Sequence, residues 1–209
     1  MDSIKTGSRP EQSDAKDKTR ARKLSFFKVA VLLAALAAAT GLLRLGFIRF
    51  MKAAYPLEYS DLVNKYSEQY GFEPSLIFAL IHTESGFDHQ AVSHKKAIGL
   101  MQITEDTFEW AQFRFSEKEA LPVEMLYDPE TNIHYGIRIL SLLKEEFEDT
   151  KTMLAAYNAG VGNVRRWLKT PEYSDDGASL KSIPYEETSN YVSKIPKTKS
   201  IYRKLYDIE

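Results

Sequence analysis

The stretch "EPSLIFALIHTESGFD", residues 73 to 88, places one glutamate at the end of a long apolar run. Pro74 suits the first turn of a helix, and the residues after it are apolar on nearly every side, which predicts a central, buried helix. Glu84 would then lie at the C-terminal end of this helix, beside the negative pole of the helix dipole. Because partial burial also disfavours a charged carboxylate, both effects predict a raised pKa for Glu84.

A carboxyl group that keeps its proton near neutral pH suits general-acid cleavage of a glycosidic bond. The competing interpretation is a surface glutamate whose side chain has turned into solvent, as most helix-end glutamates do. This stretch alone leaves both interpretations open.

A second stretch, "AIGLMQIT" at residues 97 to 104, combines a glycine with an apolar side chain and a polar side chain next to each other. Gly99 permits a turn or a close backbone approach, while Met101 and Gln102 place a soft apolar side chain beside an amide. Such a pair suits a sugar that carries an N-acetyl group. The alternative is a loop that simply leads into a helix, with the neighbouring aliphatic residues in the core.

A third stretch, "AAYNAGVGNV" at residues 155 to 164, sets Tyr157 and Asn158 directly before Gly160 and Gly162. Glycines let the backbone come close to a ligand, so a tyrosine and an asparagine here are well placed to line a cleft. Tyr157 could equally be a packed core aromatic.

The rest of the chain from about Leu57 onward also predicts a mainly α fold. Apolar residues recur at helical spacing between short polar turns, and Thr104 and Asp128 are suitable N-caps. Pro196 is expected to kink or split the last helix. Further helices are predicted within "SDLVNKYSEQYG", "TEDTFEWAQF", "DPETNIHYGIRILSLLKEEF", "KTMLAAYNAGVGNVRRWL" and "YEETSNYVSKIPKTKSIYRKLY".

The N-terminal part of the chain predicts a membrane anchor. Residues 1–23 form a polar tail with a basic end, and residues 24–43 are apolar except for Lys28, close to the ~20 residues that cross a bilayer. The basic tail favours a cytoplasmic N-terminus. A linker at 44–56 and a folded part at 57–209 would then lie on the extracytoplasmic side. A cleaved signal peptide ending near "ALAAAT" is the alternative, and it gives the same placement.

Composition excludes several classes of function. The net charge of the 209 residues is -1, which argues against nucleic acid as a partner. With Cys 0, the chain has no disulfides, no thiolate metal site, no cysteine nucleophile and no lipid-modified cysteine. The four histidines, His82, His89, His94 and His134, show no metal-binding spacing, so neither a metal nor another cofactor is predicted.

Taken in order, "ESGFD", "GLMQIT", "AYNAG" and "ETSNYVSKI" resemble the successive motifs of the lytic transglycosylases of the soluble-lytic-transglycosylase type. The resemblance covers roughly residues 57–206. It implies a goose-type, lysozyme-like helical domain that acts on peptidoglycan glycan strands. Whether cell-wall or secretion machinery is a further partner stays open.

The resemblance also implies roles for individual positions. Glu84 matches the lone catalytic acid/base, and Ser85 matches the hydroxyl residue that assists at the cleavage site. Gly99, Met101 and Gln102 match the cleft wall that meets the N-acetyl group and the sugar ring.

Four later positions complete the implied site. Tyr157 and Asn158 match the pair over the active centre. Glu187 matches an acid that contacts peptide or sugar, and Tyr191 matches the tyrosine that approaches the reacting N-acetylmuramic acid.

A single acid implies an unusual mechanism, since ordinary glycosidases use two carboxylates about 5 Å or about 6.5–9.5 Å apart. In the family, the substrate's N-acetyl oxygen attacks the anomeric carbon, and the same glutamate then takes the C6 hydroxyl proton as a 1,6-anhydro ring closes. Two rivals remain: a hydrolytic muramidase with a second acid such as Glu105 or Asp106, and a non-catalytic peptidoglycan-binding scaffold.

Overall fold

The computed structural model describes residues 11–208, and within this range it contains helices and no strands. The chain divides into two compact units, Met1–Ala54 and Tyr55–Glu209. The prediction of a mainly α protein is therefore confirmed for the part of the chain that the structure describes.

The described residues of the first unit form one long helix, α1, at Glu11–Ala54. Its segment Arg22–Ala54 is long and apolar enough to cross a membrane. The helix extends past the predicted apolar segment 24–43 and through most of the predicted linker 44–56, because no proline interrupts it before Pro56 and apolar residues continue beyond Leu43.

The second unit is built from helices joined by short turns, with one longer loop at 85–104 and another at 169–185. A short 3₁₀ turn at Val123–Tyr127 precedes α5. The helices are α2 at Ser60–Tyr70, α3 at Pro74–Glu84, α4 at Glu105–Arg114, α5 at Pro129–Glu146, α6 at Thr150–Ala159, α7 at Val161–Leu168 and α8 at Glu186–Tyr206.

Side-chain caps fix the starts of α4 and α5. The Thr104 hydroxyl accepts the Thr107 N–H at 3.4 Å, and the Asp128 carboxylate accepts the Thr131 N–H at 2.8 Å. Each cap satisfies a backbone donor that would otherwise lack a helical partner. Both predicted caps are therefore confirmed.

Helix α3 is the centre of the second unit. Every residue from Ser75 to Ile81 is buried, and α8 and α2 pack against this helix. A helix with no polar face is stable in water only when other elements cover all its sides, so the apolar run predicts the burial observed. Its C-terminal residue, Glu84, is thereby held at a fixed place in the domain.

Helix α8 continues through Pro196 without a break, so the predicted split is wrong. Proline removes one backbone donor from the ladder, a local loss. Buried residues before and after it, including Tyr191, Ile195 and Tyr202, attach both halves of the helix to the core. The packing of this stripe outweighs the cost of the proline.

Candidate active site

The chain turns sharply directly after Glu84, the last residue of α3. The Ser85 N–H donates to the Ile81 carbonyl at 3.0 Å, and the backbone then takes positive φ at Gly86 and Phe87. Phe87 is 5% exposed, so its side chain fastens this turn to the core. The end of α3 is consequently well defined.

The carboxyl group of Glu84 faces α8. Tyr191, which is 7% exposed, donates its hydroxyl to Glu84 Oε1 at 2.6 Å. Burial raises the pKa of Glu84 to about 7, while this hydrogen bond from Tyr191 acts in the opposite direction. The raised pKa predicted from the sequence agrees with this environment, and the carboxyl group is not turned freely into solvent.

Tyr191 is itself kept protonated. Burial first, and then the nearby charge of Glu84, raise the pKa of the Tyr191 phenol well above its ordinary value. The Tyr191 phenol therefore keeps its proton at physiological pH and can donate it in a hydrogen bond to Glu84.

The loop at 97–104 is held in place by a side chain that the sequence interpretation missed. Asn132, on α5, is fully buried; it accepts the Met101 N–H at 2.8 Å and donates to the carbonyls of Ile98 and Leu126 at 3.0 and 2.7 Å. The sequence gives one sign of this role: Asn132 is a polar residue next to Ile133, which belongs to the apolar stripe of α5.

Gly99 stands where this loop meets Asn132. Its φ of 75° lies in the left-handed region, and a Cβ there would overlap the Asn132 amide and come within 2.5 Å of the Leu126 carbonyl oxygen. A glycine is therefore required by both conformation and space. Its role in the structure is to let the loop lie directly against α5.

Met101 and Gln102 are both held in the loop, in different ways. The Met101 side chain is 0% exposed, in the core against Gly136, so this residue reaches the site through its backbone. Gln102, which has a φ of 49°, donates its side-chain amide to the carbonyls of Gly99 and Ala91 at 2.9 and 3.2 Å. The structure thus places the Met101 side chain away from any cleft wall.

Ser85 connects the end of α3 to the same loop. Its hydroxyl lies 2.9 Å from the Leu100 carbonyl and accepts the Phe87 N–H at 3.2 Å. Both contacts are with backbone groups. Ser85 therefore fixes the loop relative to Glu84.

Tyr157 and Asn158, at the end of α6, close the site from another side. The Tyr157 hydroxyl donates to the Met101 carbonyl at 2.8 Å, and Asn158 Oδ1 accepts a hydrogen bond from the Thr188 hydroxyl of α8 at 2.7 Å. Burial and then the charge of Glu84 raise the pKa of the Tyr157 phenol well above its ordinary value. Tyr157 therefore lies within electrostatic reach of Glu84.

Comparison with known proteins identifies the family of this chain. Residues 61–179 match the transglycosylase SLT domain. The chain belongs to the SLT family. The expected lysozyme-like fold is thereby confirmed as well.

The curated relatives of this SLT domain are longer proteins. The soluble lytic murein transglycosylase of Escherichia coli strain K12 is 34% identical over 155 residues, which cover 73% of this chain and 24% of the relative. The membrane-bound lytic murein transglycosylase C of Histophilus somni strain 2336 is 30% identical over 176 residues, covering 72% and 47%. The chain thus spans about a quarter to a half of the length of these relatives.

Solved structures show the same likeness. The 70 kDa soluble lytic transglycosylase of Escherichia coli gives a TM-score of 0.66 at 33% identity, covering 74% of this chain and 25% of that one. An inactive mutant of the lytic transglycosylase Slt from Pseudomonas aeruginosa gives 0.64 at 30% identity, covering 73% and 25%. A complex of the 70 kDa enzyme with bulgecin A gives 0.65 at 30% identity, covering 74% and 25%.

Two charged residues of α8 act on Glu84. Glu187 raises the pKa of Glu84 through its charge, and Lys194 lowers it. Glu187 also pairs with Lys95 at 3.4 Å, and both of these side chains are more than half exposed. Neither lysine was predicted, because nothing in the local sequence indicates that the loop and α8 meet.

Glu105 and Asp106 are the two candidates for the second acid of a hydrolytic enzyme. Glu105 and Asp106 occupy the exposed first turn of α4. The carboxylate whose charge acts on Glu84 is that of Glu187.

Two of the four histidines, His82 and His134, stack on tyrosine rings. The His82 ring stacks on Tyr55 with centroids 4.7 Å apart, and the His134 ring stacks on Tyr66 at 4.3 Å. Among the described residues, no group of three or more His, Cys, Asp or Glu side chains is placed to hold a metal ion.

Proposed function

We propose that this protein is a membrane-anchored peptidoglycan lytic transglycosylase, with Glu84 as its single acid/base. The scissile bond would be the β-1,4 link from N-acetylmuramic acid to N-acetylglucosamine. One observation carries the proposal: Glu84, which lies within the residues that match the SLT domain, is a partly buried carboxyl group with a pKa raised to about 7, and it accepts a hydrogen bond from Tyr191 of α8. Relatives named as lytic murein transglycosylases support the substrate class.

The geometry indicates how the acid would act. Tyr191 donates to Oε1 of Glu84, so the proton of the neutral acid belongs on Oε2. Oε2 would donate this proton to the glycosidic oxygen as the bond to the anomeric carbon breaks. The Tyr191 hydrogen bond then stabilises the carboxylate that remains.

The carboxylate would next act as a base. The N-acetyl oxygen of the substrate bonds to the anomeric carbon as the leaving sugar departs. The C6 oxygen then displaces it and gives its proton to Glu84, which closes the 1,6-anhydro ring and restores the neutral acid. No water is consumed, and a pKa close to the working pH allows both steps.

The charges near Glu84 favour this route over hydrolysis. Most hydrolytic glycosidases use a second carboxylate beside the anomeric carbon. Glu187, the carboxylate that acts on Glu84, is largely exposed and paired with Lys95. That arrangement suits contact with the periphery of the substrate.

The deciding experiment is mass spectrometry of muropeptides released from purified sacculi by the full-length protein in detergent. We expect 1,6-anhydro ends from the parent protein and none from Glu84→Gln, with Glu105→Gln as an active control. Reducing ends in place of anhydro ends would establish a hydrolytic muramidase. Binding to sacculi with no product at any pH would establish a scaffold.

Membrane attachment is the second part of the proposal. Segment Arg22–Ala54 could span a bilayer, and the relative from Histophilus somni is named as membrane-bound. The basic tail would keep residues 1–23 in the cytoplasm, so the SLT domain would face the wall. An uncleaved anchor is favoured because the apolar helix continues beyond any small-residue cleavage site.

The absence of cysteine makes this topology easy to test. Single-cysteine variants Lys118→Cys and Ser13→Cys would be labelled in intact cells with a membrane-impermeant maleimide. We expect labelling of the first variant and protection of the second until the membrane is permeabilised. The reverse pattern would refute the orientation, and loss of the N-terminal tail on an immunoblot would show cleavage.

A further inference from the structure

The C-terminal half of α8 carries cations that have no part in the site at Glu84. Every charged residue at positions 195–206 is basic, whereas the acidic residues of this helix lie in its first turn. The helix dipole favours cations in the last turn only, so it accounts for Arg203 and Lys204 but not for the cations before them. The basic residues in question are Lys197, Lys199, Arg203 and Lys204.

These cations lie on the open side of the helix. Ile195, Thr198 and Tyr202 are buried and attach this half of α8 to the core. An open groove follows the other side, and its lining residues recur three and four positions apart, as neighbours on one helix face do. They include Pro196, Lys199, Ser200, Arg203, Lys204 and Asp207.

Only part of this positive charge is balanced within the second unit. Lys199 pairs with Glu73 at 2.9 Å. Lys197, Arg203 and Lys204 are exposed, and none of them forms an ion pair within the part of the chain that the structure describes. Cations that are held together without counter-ions repel one another, so this face favours an anionic partner.

Two hydrogen bonds place the end of α8 at the start of the second unit. The Tyr202 hydroxyl donates to the Pro56 carbonyl at 3.1 Å, and the Tyr206 hydroxyl donates to the Tyr55 carbonyl at 2.7 Å. Tyr55 is bonded directly to Ala54, the last residue of the segment that could cross a membrane. The end of α8 therefore lies close to the point at which the chain enters the second unit.

The length of α1 keeps this point near the bilayer. The helix continues past the apolar segment 24–43 to Ala54, and at about 1.5 Å per residue these additional residues rise roughly 16 Å. The headgroup layer of one leaflet occupies roughly 5–8 Å of that distance. The remainder is on the order of 10 Å, which is comparable to the Debye length of about 8 Å at physiological salt. Charges at the start of the second unit are therefore within reach of an anionic bilayer surface.

We propose that this basic face, formed by Lys197, Ser200, Arg203 and Lys204, docks onto the headgroups of anionic phospholipids in the leaflet that faces the wall. The two lysines supply point charges, and the planar guanidinium of Arg203 matches a pair of phosphate oxygens. The Ser200 hydroxyl adds a neutral donor beside them. The proposal rests on the membrane attachment proposed above, because the anchor brings the face to the lipid.

Docking would limit the distance between the bilayer and the acid. Tyr191, which donates to Glu84, and Tyr206, which donates to Tyr55, lie about four turns apart on α8, or roughly 22 Å. A domain held by its anchor and by its basic face would therefore cleave glycan strands close to the membrane.

The basic face can be tested in the full-length protein. Because the sequence has no cysteine, Ser193→Cys introduces a single site for a fluorophore, exposed and one turn before Lys197 on the same side of α8. The labelled protein would be placed in nanodiscs of phosphatidylcholine, alone or mixed with phosphatidylglycerol, that contain a lipid with a nitroxide quencher on its headgroup. We expect several-fold stronger quenching in the discs with phosphatidylglycerol, and loss of this difference at high salt.

Removal of the cations should abolish the difference between the two kinds of disc. Each lysine or arginine near an anionic surface strengthens binding about fivefold, so the triple variant Lys197→Gln, Arg203→Gln, Lys204→Gln should weaken docking about a hundredfold. A matched control, which should keep the difference, removes the same charges from exposed positions outside α8: Arg114→Gln, Lys118→Gln and Lys169→Gln. Equal loss in this control would show attraction by net charge alone and would overturn the proposal. Thermal melting would show that each variant is folded.

Inorganic phosphate distinguishes a lipid from a soluble ligand. Replacing chloride by phosphate at equal ionic strength should leave the quenching unchanged, because a docked face meets many headgroups at once. Displacement of the label from the bilayer by phosphate would indicate a site for a soluble anion and would overturn the lipid assignment.

The remaining outcomes separate the basic face from the proposed function. If quenching does not depend on phosphatidylglycerol while the parent protein cleaves sacculi, the basic-face proposal is overturned and the proposed activity stands. If the protein does not enter the discs, membrane attachment and the basic face fail together. Quenching that needs both phosphatidylglycerol and the cations, without cleavage of sacculi, supports the basic face and refutes catalysis.

Discussion

The Tyr191 hydroxyl lies 2.6 Å from Glu84 Oε1, a contact that joins residues 107 positions apart in the chain. Tyr191 is on α8 and Glu84 ends α3, and these two helices pack against each other in the core. The acid is therefore held by the two helices of the second unit that pack together most extensively. Its protonation can be tested through this contact.

Activity should fall as pH rises through about 7, because only neutral Glu84 can donate a proton. The hydrogen bond from Tyr191 lowers the pKa of Glu84, so Tyr191→Phe should move this alkaline limb to higher pH. The rate of anhydro-product formation across a pH series measures the shift. Tyr185→Phe is the control, at an exposed tyrosine preceding the same helix, and it should leave the alkaline limb in place. An alkaline limb that does not move in Tyr191→Phe would contradict its assignment to Glu84.

The stability of the protein should reveal the same pKa independently of activity. The folded pKa of Glu84, about 7, exceeds the unfolded value of about 4.3, so the folded state binds more protons between these pH values. The free energy of unfolding therefore falls as pH rises through this window. Glu84→Gln should remove this pH-dependent loss of stability. Its free energy of unfolding should exceed that of the parent by on the order of 2 kcal/mol at pH near 8, and the difference should disappear near pH 4.

Urea unfolding at both pH values measures this difference. Glu105→Gln is the control, since Glu105 lies exposed in the first turn of α4. A stability difference that does not change with pH would show that Glu84 titrates like an exposed glutamate.

The paired charges beside Glu84 should shift its titration in opposite directions. Glu187 raises the pKa of Glu84, so Glu187→Gln should move the alkaline limb of the activity to lower pH. Lys95→Gln removes the cation that pairs with Glu187 and should move the limb the other way. Because the pair is exposed, neither variant should change the free energy of unfolding by more than about 1 kcal/mol.

Parallel pH profiles at low and high salt measure both effects. Screening should shrink both shifts, since the charges are exposed to solvent. Shifts in the same direction for the two variants would contradict the electrostatic account.

Gly99→Ala should destabilise the protein by roughly 3 kcal/mol, because alanine is strained at the positive φ of this position and its Cβ would collide with Asn132. Gly86→Ala is the matched control: its φ is also positive, at 61°, but a Cβ there meets nothing within 4 Å. It should cost about 1 kcal/mol. Thermal unfolding of the two variants separates the steric cost of the collision from the conformational cost of the positive φ. Equal losses of stability would show that the contact with Asn132 is unimportant.

Asn132→Ala should cost roughly 3 kcal/mol or more, since it leaves buried backbone groups of the 97–104 loop without partners. The exposed Asn64 on α2 provides a control that should change stability little. Denaturant unfolding gives both values. A small loss at Asn132 would mean that the loop can find other partners.

Local patterns were enough to predict the helices and most of their ends. The apolar run before Glu84 specifies a buried helix because no other arrangement hides all its faces, and Thr104 and Asp128 cap helices by bonding three residues ahead. The predicted split at Pro196 was wrong, because the buried stripe of α8 packs on both sides of the proline and outweighs the local loss of one backbone donor.

The candidate site was predictable only in part. The motifs identified the segments that converge, but they gave no sign that the Met101 side chain is buried against Gly136. Asn132 and Lys95 were missed for a related reason. Each acts across a long sequence separation, on a loop whose path depends on the completed core.

By itself, the sequence determined that this chain has an apolar N-terminal helix, a helical domain and an acid at the end of its most buried helix. The physical reason is that burial, capping and charge patterning act between near neighbours. The tertiary structure alone decided what that acid meets: a phenol from α8, the opposing charges of Glu187 and Lys194, and a loop fixed by Asn132. A pKa depends on every group that folding brings within a few ångströms, so it becomes defined only when α3 and α8 pack together.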